Sequence, residues 1–193
     1  MAVTDVDICA RALVMIGAQP ITSFSDGTTE AIVASNLYED TVRDLLTRHR
    51  WRFASGQAQL SRRTDAPLDS WDAAYQLPAN LLVLHDLTVN GYNVVYDRYQ
   101  NLAYCNADAA DVVVANYTFR AEEDLWPPYF ISLVEVYLAS LFAYAVANQI
   151  QTADYLDKKA LRQLALARNI DSQEQTTRKM DLSLFTRVRR TIG

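Results

Sequence analysis

The stretch Tyr38-Glu-Asp-Thr-Val-Arg-Asp-Leu-Leu-Thr-Arg-His-Arg-Trp51-Arg-Phe-Ala54 divides the chain. Its first part is an amphipathic helix in which Tyr38, Thr41, Val42 and Leu45 share one face, continuing a stripe that begins at Ala34 and Leu37. Thr28 or Thr29 supplies the cap after the turn at Asp26-Gly27, and the helix reaches about His49. Trp51 and Phe53 follow and read as an aromatic lid over a helical core. Beyond Ala54 the period changes from that of a helix to that of a strand.

Upstream, Thr4 caps a first helix with Asp5 and Asp7 at its positive end. Cys9, Ala12, Leu13 and Ile16 lie on its inner face, and Gly17 and Pro20 end it. Downstream, residues 58–119 read as short strands. The clearest pair is 82–89 and 92–99, joined by Asn90-Gly91, a dipeptide that favours a type I′ hairpin turn. Residues 112–119 form a further strand, and Pro78 suits a strand entry, where no ladder donor is needed.

Pro127-Pro128 opens a helix running to about Ile150 with Glu135 as its only charge. Such a helix is enclosed by protein or spans a membrane. Its flanks carry Glu122, Glu123 and Asp124 on one side and Asp154 and Asp157 on the other, with no basic anchor, which favours enclosure. A fourth helix over 153–175 places Leu156, Ala160, Leu164 and Ala167 on one stripe and pairs with the third. Residues 176–193 are polar and basic but carry Met180, Leu182, Leu184, Phe185, Val188 and Ile192, a composition suited to docking on a partner.

The reading is an α+β chain, mainly α: a helical bundle with a long antiparallel C-terminal helical hairpin, an inserted small β domain and an extended C-terminal tail. Its parts are 1–54 and 123–175 for the helical domain, 55–122 for the insertion and 176–193 for the tail. At 193 residues the chain can bury a core without covalent staples. Cys9 and Cys105 lie in small or apolar surroundings and suit reduced thiols. The N-terminus lacks a basic region before an apolar run, so a cytosolic site of synthesis and residence is expected.

Charge is polarised along the chain, whose net formal charge is -5. Residues 48–63 hold five arginines and no acid, 65–124 hold ten acids against Arg98 and Arg120, and the C-terminal segment is basic again. Asymmetry of this kind bears on partners and orientation rather than on fold. The glycines form no phosphate cradle, and neither His49 nor His85 has a second His or Cys beside it. Asp65, Asp69 and Asp72 lack the ligand ladder of a calcium loop. No serine sits in a nucleophile turn, so neither an enzyme nor a cofactor is expected.

Taken together, the short capped helix, Ile16-Gly17-Ala-Gln-Pro20-Ile, the second helix ending in Trp51-Arg-Phe-Ala54, Trp71 to Tyr75-Gln-Leu-Pro78, the β region, Pro127-Pro128 and two paired helices resemble the tail tubular protein A family of phage head-to-tail adaptors. The resemblance covers nearly the whole chain and rests on the order and spacing of short motifs. It implies a structural virion protein of the neck, between head and tail, assembled in the host cytoplasm. It would form a twelve-membered ring that joins the portal protein ring to a downstream tail or nozzle protein. Genomic DNA would pass through without sequence-specific binding, and no membrane would be involved.

The resemblance places portal binding in the tail, with Arg178, Lys179, Met180, Leu182, Leu184, Phe185, Arg187, Val188, Arg189 and Arg190 as candidates. Asp86, Asp97, Asp108 and Asp111 are candidate channel or surface acids, since a like-charged wall lets phosphates slide. The rival reading is a nucleic-acid-binding regulator using the arginine clusters. A sequence pI near 5.0 argues against a broad basic footprint.

Overall fold

A computed structural model describes residues 3–65, 67–68 and 70–174. In chain order the elements are helices α1 (Asp5–Met15) and α2 (Thr29–Thr47), then strands β1 (Ser55–Gln59), β2 (Ser61–Arg62), β3 (Ala73–Gln76) and β4 (Leu81–Val89). Strands β5 (Tyr92–Val94), β6 (Asp97–Tyr99), β7 (Leu102–Cys105) and β8 (Val113–Phe119) follow. A 3-10 turn at Glu123–Leu125 leads into α3 (Pro128–Ala145) and α4 (Ile150–Gln173).

The expected mainly helical bundle, with a long C-terminal hairpin and a small β insertion, is overturned. The described residues are about 44% helix and 22% strand, with four helices and two antiparallel four-stranded sheets, which is an α+β fold. The sheets have strand orders β1-β8-β4-β5 and β2-β3-β7-β6. Sequence periodicity understated them because several strands are short or lie at an edge: β2 and β6 expose every residue, and β1 reads Ser-Gly-Gln-Ala-Gln. Such segments pair because neighbours present a ladder, a tertiary cause that local pattern does not carry.

Both sheets contribute to one apolar core that includes Leu60, Tyr75, Leu77, Leu87, Cys105, Val113 and Ala115. The chain changes sheet four times to build it, between β1 and β2, β3 and β4, β5 and β6, and β7 and β8. At Leu60, between β1 and β2, the backbone N–H still bonds Val113 O at 2.9 Å while the side chain is buried. At 95–96 the strand expected over 92–99 breaks, sending β5 to one sheet and β6 to the other. Asn90 and Gly91, with φ of 49° and 87°, make the left-handed turn that their sequence demands, and Val89 pairs with Tyr92.

The helices form a second core. Thr4 closes a capping box with Asp7, and Thr28 Oγ1 accepts from Ala31 N–H, so both predicted caps are in place. α3 packs against α1, α2 and α4, and Phe130, Leu133, Leu138, Ala139 and Phe142 are wholly buried. By length and composition it is apolar enough to cross a membrane, with mean hydropathy 1.4, and 56% of that window is buried within the protein. Its one charge, Glu135, accepts from Arg11 at 3.1 Å. α3 ends at Ala145, short of Ile150, because Asn148 takes a left-handed φ of 51° and α4 starts directly after Gln149. Phe119, at the end of β8, packs against both cores and joins the two layers.

Candidate functional site

The sharp turn after α2 opens onto a polar basin. Trp51 is fully buried, donates its indole N–H to Leu45 O at 2.9 Å, and meets Phe130 edge-on at 5.1 Å. With the ring locked, the flanking His49, Arg50 and Arg52 are turned outward along one side of the turn. They line an open basin of about 910 Å³ with Asp86, Asn116 and Asp171. Helix α4 forms one wall and the sheet β1-β8-β4-β5 another.

Two hydrogen-bonded systems organise this basin. The first centres on Asp171, which lies on the buried stripe of α4 and is 2% exposed. Its Oδ1 accepts from Arg52 N–H at 3.0 Å and from Tyr129 Oη–H at 3.0 Å, while Oδ2 lies 3.2 Å from His49 Nε2. Burial, followed by the bond to Asp171, drives the Tyr129 phenol well above its ordinary range, so it remains a donor. The second system runs across the sheet: Gln57 on β1 donates to Asn116 Oδ1, Asn116 on β8 donates to Asp86 on β4, and Arg50 lies 3.5 Å from Asp86. Strand register sets this row, since Gln57 pairs with Asn116 and Asn116 with Asp86.

An imidazole beside a buried carboxylate is half of a hydrolytic constellation. Among the described residues no hydroxyl or thiol is hydrogen-bonded to His49, and Ser55 Oγ–H donates to Trp51 O at 2.6 Å. The bonds to Asp171 join α4 to α3 and to the turn after α2. Nor do the described residues gather three or more His, Cys, Asp or Glu side chains that could hold a metal ion.

A further ionic group pins the chain where it leaves the sheets. Arg120 bonds Glu39 on α2 at 3.0 Å and Glu123 at 2.6 Å, and Tyr38 Oη–H donates to Glu123 at 2.8 Å. Burial opposes ionisation of Glu123, but the bonds from Arg120 and Tyr38 outweigh it and hold its carboxyl below the usual range.

The arginines of the 48–63 stretch are largely committed within the chain. Arg48 pairs with Asp44 at 2.6 Å and reaches Tyr137 Oη at 2.9 Å, and Arg62 donates to the carbonyls of Ala107 and Asp72. Arg63 pairs with Asp65 at 3.2 Å.

Of the four candidate acids, Asp108 and Asp111 are neighbours and the other two lie apart. Asp86 lies in the basin, while Asp97 on β6 accepts from Trp71 Nε1–H at 3.1 Å. Asp111 accepts from Asp108 N–H and from the Asn90 amide, each at 2.7 Å, and so ties the turn before β8 to the Asn90-Gly91 turn. The ten candidate portal-binding residues, Arg178 through Arg190, lie outside the described residues.

The Asp171 system escaped sequence reading, although one signal pointed to it. The stripe Leu156, Ala160, Leu164, Ala167 continues in register to 171, where a carboxylate occupies a core position. No family model matches the chain, and comparison with curated proteins gave no match.

Proposed function

We propose that this protein is a structural subunit of a phage neck, a head-to-tail adaptor that joins the portal ring to the tail and lets DNA pass. The order of motifs from Thr4 to Pro127-Pro128 supports the reading through its resemblance to tail tubular protein A-like adaptors. The structural observation that carries it is the distribution of uncovered apolar side chains over the helices. Val14, Met15 and Ile32 are exposed on α1 and α2, and Tyr155, Leu166 and Ile170 on α4, with α3 buried among these helices. Apolar side chains exposed on separate helices can supply the two unlike surfaces of a head-to-tail contact, and such contacts close into rings when the rotation permits. Ordered side chains engaged in holding elements together, as around Asp171 and Arg120, suit a scaffold.

In this reading the subunits join on the portal, and residues 176–193 provide the attachment, with arginines and apolar anchors meeting an acidic portal surface. Repetition around a ring multiplies modest contacts into a durable joint. The deciding experiment mixes full-length protein with cognate portal rings and images the product, alongside a variant ending at residue 175. Full-length protein should appear as a second ring beneath the portal, and the shortened chain should keep its fold but fail to co-sediment. Leu166→Glu should leave unfolding unchanged and prevent ring closure. Undiminished attachment of the shortened chain removes the docking role of the tail, and the absence of any ring on the portal removes the adaptor reading.

A further inference from the structure

Away from the polar basin, the second sheet carries a cleft of about 320 Å³ whose walls are aromatic. Strand alternation builds it. Asp97 pairs with Tyr104 and Tyr99 with Leu102, so these four side chains share one face, and Arg98 points to the other. Tyr99 and Tyr104 meet edge-on with ring centroids 5.4 Å apart. The segment between β2 and β3 lays Trp71 beside them, and its indole N–H donates to Asp97 Oδ2 at 3.1 Å. Tyr99 is 59% exposed, a large apolar ring held open to solvent.

We propose that this cleft binds the guanidinium group of an arginine side chain presented by a partner polypeptide. Faces of Trp and Tyr attract a cation through their quadrupoles, and a planar guanidinium both stacks on a ring and donates to a carboxylate. Asp97 supplies that carboxylate. The indole occupies one of its oxygens and fixes its direction, and among the described residues no cation pairs with it. The lining matches in sign, because among the described residues it holds the Asp97 carboxylate and no basic side chain, and Arg98 is directed to the other face. A neutral sugar would stack on the same rings but needs several polar partners, and the cleft offers Asp97 and Ser70 beside its three aromatic rings. This ligand chemistry is independent of the adaptor reading.

The test is an NMR titration of the full-length protein that follows the Trp71 indole N–H signal, assigned with Trp71→Phe. The probes are acetyl-Gly-Arg-Gly-amide, the same peptide with uncharged citrulline in place of arginine, and maltose. The arginine peptide should shift the signal saturably, and the citrulline peptide should bind roughly tenfold more weakly, the scale of a charge-assisted hydrogen bond. Asp97→Asn should lower arginine affinity by a similar factor, and Tyr99→Ala should lower it with the carboxylate intact. Equal binding of the two peptides, a stronger response to maltose, or an unmoved indole signal at saturating arginine peptide would each overturn the proposal. The peptide comparison on the unaltered protein decides the matter even where a variant misfolds.

Discussion

Asp171 and Arg52 meet through a side chain and a backbone: the carboxylate oxygen Oδ1 accepts the Arg52 amide N–H at 3.0 Å. This contact, with that of His49 to Oδ2, fastens the C-terminal half of α4 to the turn that separates helices from sheets. The same oxygen also serves Tyr129, so one buried atom ties α4, α3 and the turn together.

Asp171→Ala should therefore cost about 1 to 3 kcal/mol, because the part-buried Tyr129 hydroxyl and Arg52 amide would lose their acceptor. Asp171→Asn keeps one acceptor oxygen and should cost less. Urea unfolding of the three proteins checks the order, and a cost for the alanine variant no larger than for the asparagine variant would refute it.

The Glu123 carboxyl gives the protein an acid-sensitive joint. Its folded-state pKa lies below the ordinary value of 4.5, so the unfolded chain takes up its proton first as pH falls. The stabilisation is complete above the unfolded-state value and disappears as pH drops through the folded-state value. Glu123→Gln should be less stable at pH 7 but should lose less stability between about pH 5 and pH 3 than the unaltered protein, given ordinary carboxyl values. Parallel denaturation curves across that range would contradict this assignment.

Trp51 is both a filler and a donor. Trp51→Ala should destabilise by about 3 to 5 kcal/mol through the cavity left beside Phe130 and Phe53. Trp51→Phe retains an aromatic ring but loses the bond to Leu45 O, and should cost about 1 to 2 kcal/mol beyond any repacking. Chemical unfolding monitored by far-ultraviolet circular dichroism distinguishes the two.

Both cysteines are enclosed, and burial, with the charge of Asp5 adding, pushes the Cys9 thiol up to about 12. Burial raises the Cys105 thiol as well. Since the thiolate is the reacting form, neither should react with Ellman's reagent in the native protein at pH 8, and both should react in urea. Rapid native labelling at either position would show that its packing opens.

The helices were legible because their causes are local. The left-handed Asn148, which stops α3 short of the expected Ile150, was not read, whereas Thr4, Thr28 and Pro128 mark starts and Gly17 marks an end. The Asn90-Gly91 turn was legible for the same reason. The balance of the fold was not, because pairing of Ser55–Gln59 with Val113–Phe119 is decided by residues far away in sequence. The polar basin depends on contacts such as His49 with Asp171, which pattern and spacing do not reveal. The aromatic cleft joins Trp71 to Asp97 and Tyr104, and only the register between β6 and β7 brings them to one face.

The strands that enter and leave the sheets are partners: Ser55 lies opposite Thr118, and Phe119 N–H bonds Ala54 O at 2.9 Å. Until that seam closes, bringing α2 to α3 means closing a long loop of chain, with the entropic cost of its length. Once it closes, the two helices are separated by only a few residues on either side of a zipped ladder. The expected order of folding events has the β1–β8 seam forming ahead of the contact between α2 and α3. Substitutions such as Gly56→Val, which crowds Tyr117 and Phe119, should act chiefly by slowing refolding, and those on α4 chiefly by hastening unfolding.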